Sequence, residues 1–197
     1  MLSTIHTNNA IGVIPRLIDM GVDPYLIAPT LKLAIAQRLA RRLFEGKGQE
    51  EPINSSTRIM IEETFKTLPK KQHYRIPESR TILHPLPSPQ SSTGMKGRTA
   101  VSEVLEVTEE IQELILQNAS EEQFFMSARK NGFVTIQEDA IIKALNHEIS
   151  YEEMNVFSSK IATEESSFTP AEVPAVDNLT EILEHDAIIK GNENPTG

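Results

Sequence analysis

The stretch Leu2-Ser3-Thr4-Ile5-His6-Thr7-Asn8-Asn9-Ala10 decides how the rest of the chain is read. Its first four residues alternate apolar and polar, the period of a half-buried strand. Thr7-Asn8-Asn9 then offers capping side chains for a helix. Ala10, Ile11, Val13, Ile14, Leu17 and Ile18 form a helical apolar face that closes at Gly21. The segment therefore predicts a strand, a turn and a helix. A strand placed here needs neighbours for its backbone groups, so the chain is expected to be the tail of a larger α/β domain.

Working outward, Asp23-Pro24 opens a second helix through Leu26, Ile27, Leu31, Leu33 and Ile35, with Pro in the first helical position. Gln37-Arg38-Leu39-Ala40-Arg41-Arg42-Leu43 fits a helix or a strand equally well. Residues 44–93 change character, with Gly46, Gly48 and Pro52 followed by Pro69, Pro77, Pro85, Pro87 and Pro89. That region reads as an inserted subdomain or long linker, with a short helix at Ile59–Leu68 and short strands at Tyr74–Ile76 and Thr81–Leu83. From Gly97 to Val107 apolar residues alternate, predicting a strand. Ser120 with Gln123, Thr135 with Glu138, and Ser150 with Glu153 have the spacing of capping boxes. Together with Thr108-Glu109-Glu110 they predict helices near 109–117, 120–130, 136–146 and 150–157.

Composition excludes several function classes. Aromatics are 5% of the 197 residues and Trp is absent, so the core is aliphatic and modest. A net charge of −9 opposes phosphate backbones and argues against nucleic acid as a partner. Zero Cys excludes disulfides, thiolate metal sites and a Cys nucleophile, and fits a reducing compartment. No apolar run approaches the ~20 residues that span a bilayer. The N-terminus lacks a basic region followed by an apolar run, so a cytoplasmic protein without direct membrane insertion is expected. Residues 158–197 carry two Lys and eight acidic residues and read as a disordered acidic tail, with a weak helix across Leu179–Ile189. His73, His84, His147 and His185 make no metal-ligand spacing, so no metal site is expected.

The opening stretch closely resembles the histidine box of the secretion ATPase superfamily, the hexameric motors of type II secretion and type IV pilus assembly. The resemblance continues in order. Arg16–Val22 is similar to the helix after that box, and Ala36–Leu43 to the segment ending the core sheet. Gly94-Met95-Lys96-Gly97-Arg98-Thr99 resembles the Gly-Tyr-Lys-Gly-Arg signature with Met95 in place of Tyr, and Glu103-Val104-Leu105 continues it. Thr135–Leu145 and Ser150–Met154 resemble the closing helices. This implies an α/β chain in four parts. Residues 1–43 would end a RecA-like P-loop ATPase core, and 44–93 would be the insertion that carries zinc-binding Cys pairs in many relatives. Residues 94–157 would form a strand and a small, mainly α-helical C-terminal domain, with 158–197 as the tail. No G-x4-GK[ST] loop occurs, and the Walker elements would precede Met1, so this polypeptide alone is not expected to hydrolyse ATP. Zinc is not carried over, because 44–93 contains no Cys.

The resemblance assigns candidate residues. In those motors the histidine matching His6 lies near the terminal phosphate of the nucleotide, where a hydrogen bond can report hydrolysis. Thr7 beside it would hold the loop or contact phosphate-bound water. Gln37, Arg38, Arg41 and Arg42 are candidates for nucleotide phosphate or a neighbouring subunit. The alternative for the arginines is a solvated charged face, and for His6 a residue that decorates a turn. The complete motor would use ATP and Mg2+ and form a homo-hexamer, or draw its P-loop from a partner chain. It would dock on an inner-membrane platform protein. A rival reading makes the chain a catalytically inactive interaction module that binds a partner motor.

Overall fold

Two long antiparallel strands organise the molecule. β1 (Leu33–Leu43) pairs with β4 (Met95–Glu106) from Leu33 opposite Glu106 to Leu43 opposite Met95, with a register shift between Arg41 and Leu43. The computed structural model describes residues 1–164. Before the ribbon come α1 (Val13–Asp19) and α2 (Pro24–Thr30); after it come α4 (Glu109–Leu116), α5 (Glu121–Lys130), α6 (Ile136–Leu145) and α7 (Tyr151–Glu164). Between the strands, β2 (Gln49–Pro52) pairs antiparallel with β3 (Thr81–His84), and α3 (Ser55–Thr64) and a 3-10 turn (Lys70–Arg75) lie between them. The mixture of helices and small sheets agrees with the expected α/β class.

The ribbon has two unlike faces. On one, Ala34, Ala40, Val101, Glu103 and Leu105 are buried under helices. On the other, Leu33, Ile35, Leu39 and Val104 stand about half exposed. Small alanines on the covered face let helices approach the backbone closely. Two apolar cores result. The first joins Ile14 of α1, Ile27 of α2, Leu105 of β4, Ile111 and Ile115 of α4, and Phe124 of α5. The second joins Phe65 and Leu68 behind α3 to Val101 of β4, Ile141 and Leu145 of α6, and Met154 of α7. Along the inward face of β4, Glu103 stands between Leu105 of one core and Val101 of the other.

Local chemistry sets the element ends. Ser120 and Gln123, and likewise Thr135 and Glu138, exchange the reciprocal side-chain-to-backbone bonds of a capping box. Ser150 accepts from the Glu153 amide at 3.2 Å, but the Glu153 carboxylate turns away to Arg41. Gly94 has φ +69°, and a Cβ there would lie 2.6 Å from the Leu86 nitrogen. Only glycine fits both conditions, which accounts for the first residue of the Gly94–Thr99 signature.

Several expectations are corrected. Leu2–Ile5 is not a strand but irregular and largely exposed, and among the described residues it has no ladder partner. The second helix stops at Thr30, and Leu33 and Ile35 belong to β1. Leu31 already has extended backbone angles, and from Leu33 onward the backbone groups are satisfied by pairing with β4 instead of by helical bonds. Tyr74 lies in the 3-10 turn rather than in a strand, where the Ile76 amide bonds the His73 carbonyl at 2.9 Å. The helix expected at Ile59–Leu68 begins at Ser55, where Asn54 caps it, and ends at Thr64. α7 passes the expected boundary at 157 and runs to Glu164. The acidic tail beyond that point, with the weak helix at 179–189, lies outside the described residues.

The insertion is fastened to the helices. Arg129 of α5 donates to the Thr67 hydroxyl at 3.0 Å, and Arg75 donates to the Gly132 carbonyl at 3.0 Å. His84 of β3 stands between two carboxylates, with Nδ1 2.6 Å from Glu152 of α7 and Nε2 3.0 Å from Glu51 of β2.

Candidate functional site

The loop from His6 to Asn9 is short and held at three points. The Thr7 hydroxyl donates to the Asn9 carbonyl at 2.9 Å, and the Asn9 side-chain oxygen accepts from the Gly12 amide at 2.6 Å. This second bond satisfies an amide at the entrance to α1 that no earlier carbonyl reaches. The third point is long-range. The Ala10 amide donates to Glu103 Oε1, 93 positions along the chain, at 2.5 Å. His6 is exposed and Thr7 half-buried, so the histidine is presented from a fixed loop.

Glu103 is the residue that sequence reasoning missed. It is 4% exposed, and its second oxygen accepts from the Ile136 amide at 3.2 Å, the first residue of α6. Burial pushes its carboxyl above the usual carboxylate range, opposed by the two amide bonds and the Arg38 charge. A signal was available: Val101, Glu103, Leu105 and Val107 share the inward register of β4, so a carboxylate interrupts an apolar face.

From Ile136 the polar chain continues into α6. Glu138 accepts from the Thr135 amide at 2.9 Å and forms a two-pronged pair with Arg129, whose guanidinium also donates to the Phe133 carbonyl. Both side chains are almost fully buried, at 3% and 2% exposure. The Arg129 guanidinium lies 5.7 Å from the centre of the Phe125 ring.

The basic candidates are divided by the strand period. Arg38 lies half-buried on the helix-covered face, opposite Val101 and two rungs from Glu103. Gln37, opposite Ser102, is exposed on the other face. Arg41 stands opposite Arg98 and is held by Glu153, which accepts from its Nε at 3.0 Å and its backbone amide at 2.9 Å. Arg42 is exposed, and its backbone forms an isolated antiparallel bridge with Ile149. The four side chains therefore do not converge: Arg38 faces the histidine-loop anchor and Arg41 the start of α7.

A cleft of about 310 Å³ lies in the insertion, lined by Phe44, Glu45, Lys47, Leu86, Ser88 and Gln90, none of them a candidate residue. Among the described residues, no cluster of three or more His, Asp or Glu could hold a metal ion. No helix among them is long and apolar enough to cross a membrane.

Comparison with known proteins matches the same span. The model of the family described as type II/IV secretion system protein covers residues 1–156. Type II secretion system protein E of Xanthomonas campestris pv. campestris is 34% identical over 155 residues, 78% of this chain and 26% of that protein. The type IV pilus assembly ATPase PilB of Pseudomonas aeruginosa is 31% identical over 159 residues, 79% of this chain and 26% of that protein. Type II secretion system protein E of Aeromonas hydrophila is 32% identical over 154 residues, 78% of this chain and 28% of that protein. The chain thus spans about a quarter of the length of these curated relatives. By the extent of the family match and the identity to these relatives, the chain belongs to the type II/IV secretion system protein family.

Proposed function

We propose that this chain is the C-terminal part of a hexameric ATP-hydrolysing motor that drives type II secretion or type IV pilus assembly. In this reading, residues 1–43 complete a RecA-like core. The chain contributes phosphate sensing through His6 and contacts between subunits or domains through Arg38, Arg41 and Arg42. The observation that carries the reading is the His6–Asn9 loop: three hydrogen bonds anchor it through Thr7, Asn9 and Ala10 while the His6 imidazole stays exposed and free to meet a phosphate. Thr7 holds the loop through its hydroxyl. A P-loop from elsewhere, in the same polypeptide or a partner chain, would hold ATP, because the sequence contains no G-x4-GK[ST]. Mg2+ would be held by the nucleotide phosphates and by groups that accompany the P-loop. The assembled motor would be cytoplasmic, peripheral at the inner membrane on a platform protein.

Two measurements test this. In the complete motor, His6→Ala is expected to lower ATP turnover by roughly 100-fold, with a loss of stability under about 0.5 kcal/mol because the side chain is exposed. Unchanged turnover removes the sensing role. The isolated chain is expected to bind no ATP in calorimetry until a P-loop-bearing partner is added. Tight binding of the motor without any contribution to its turnover would favour the inactive interaction module.

A further inference from the structure

We propose that Glu103 is a positioning residue that couples the histidine loop mechanically to α6, so that a displacement of the loop is passed to the C-terminal helices. The proposal deepens the phosphate-sensing reading and rests on it for its purpose, although the coupling itself is a property of this chain.

The argument begins with two peptide planes. The Asn9 carbonyl and the Ala10 amide belong to one rigid unit. Its oxygen accepts from the Thr7 hydroxyl at 2.9 Å and its nitrogen donates to Glu103 Oε1. The plane is gripped at both ends and cannot rotate without breaking one bond or the other. The Thr135 carbonyl and the Ile136 amide form a second such unit. Its oxygen accepts from the Asp139 amide at 2.9 Å, the first bond of α6, and its nitrogen donates to Glu103 Oε2 at 3.2 Å. One carboxylate thus holds one end of each plane.

A carboxylate is suited to this position for chemical reasons. Both oxygens are acceptors, so one planar group satisfies two amides at once. Each amide is buried, and neither has a helical carbonyl to bond, because each lies at or before the first turn of its helix. Gln in the same shape keeps one acceptor and turns its NH2 toward the other amide, so the two bonds cannot coexist. Glu103 also stands on β4 between the apolar cores, where packing leaves little room for its side chain to follow one plane and not the other. The charged groups facing it are Arg38 of β1, which favours the carboxylate, and Glu138 of α6, which opposes it. Glu138 is itself tied to Arg129 of α5, so α5 and α6 move with the second plane.

The test uses the 197-residue chain, isotope-labelled, without nucleotide. In Glu103→Gln, the Ala10 or the Ile136 amide is expected to exchange with solvent about tenfold faster or more, while Ile111 and Ile141 in the two cores keep wild-type protection. Undiminished protection of both amides overturns the proposal. The second variant, Thr7→Ala, leaves Glu103 intact and frees only the carbonyl end of the first plane. Its expected result is a chemical-shift change at Ala10 and also at Ile136, and loss of the Ile136 response when Glu103→Gln is added. A shift confined to Ala10, or an Ile136 response that persists without the carboxylate, overturns it. A residue that merely stabilises the fold would not transmit the change. If Glu103→Gln does not fold, the response of Ile136 to Thr7→Ala decides alone. These readouts need no ATP, so they stand or fall apart from the His6→Ala turnover in the complete motor.

Discussion

At the scale of single residues, the buried charges carry most of the consequence. Burial raises the Glu103 carboxyl, so the folded chain holds that proton more tightly than the unfolded chain does. Its stabilising contribution is complete below the unfolded-state value and is lost as pH rises through the raised folded-state value. Urea denaturation from about pH 4 to about pH 7 should therefore show wild type losing stability relative to Glu103→Gln. A difference between the two that is flat with pH would contradict the burial argument. Arg129 presents the other case. Arg129→Met leaves the Glu138 carboxylate buried without its partner and is expected to destabilise by about 3–5 kcal/mol, whereas Arg129→Met with Glu138→Leu recovers only part of that loss, because the Thr135 amide and the Phe133 carbonyl lose their partners. The same urea measurement checks both. Sequence reasoning picked out His6 and Thr7 because a motif is local. It named Glu103 only as part of a signature and Arg129 not at all, because their partners lie 93 and 9 positions away and a charged side chain defaults to a solvated face.

Among the elements, those fixed by neighbouring residues were legible and those fixed by distant pairing were not. The helices α4, α5 and α6 lie within a residue or so of their expected bounds, since a capping box and a 3.6-residue apolar period are short-range devices. β4 was legible for the same reason, through strict alternation. β1 was only half legible: Ala34, Ala36 and Ala40 favour helix, and pairing with β4 overrides that preference. Alternation at Leu2–Ile5 made no strand, because period two describes a face and does not supply a partner. The unequal faces of the ribbon give a prediction at this scale. Leu39 is 56% exposed, so Leu39→Thr should change stability by less than about 0.5 kcal/mol. Leu105 is wholly buried in the first core, so Leu105→Ala should cost about 2–5 kcal/mol. Thermal melts of the two variants provide the comparison, and equal effects would mean that the outer face is covered as well.

For residues 1–164 as a whole, the two cores share β1 and β4 and are joined again by Glu103, Arg129 and Glu138. They are expected to unfold in one transition. Ile111→Ala in the first core and Ile141→Ala in the second should each lower the same calorimetric peak, with calorimetric and van't Hoff enthalpies equal. Two resolved peaks would mean that the ribbon does not bind the cores into one cooperative body. The insertion leaves the ribbon at Leu43 and returns at Met95, which are paired across the ladder. Its two ends are thus pinned together by residues outside it. The entropy lost on closing such a loop grows only logarithmically, about 0.6 kcal/mol for each doubling of length. Added or removed length between residues 44 and 93 is consequently cheap in closure entropy and leaves the rungs beneath it in register, provided Phe65, Leu68 and the Thr67 and Arg75 contacts to the helices are kept.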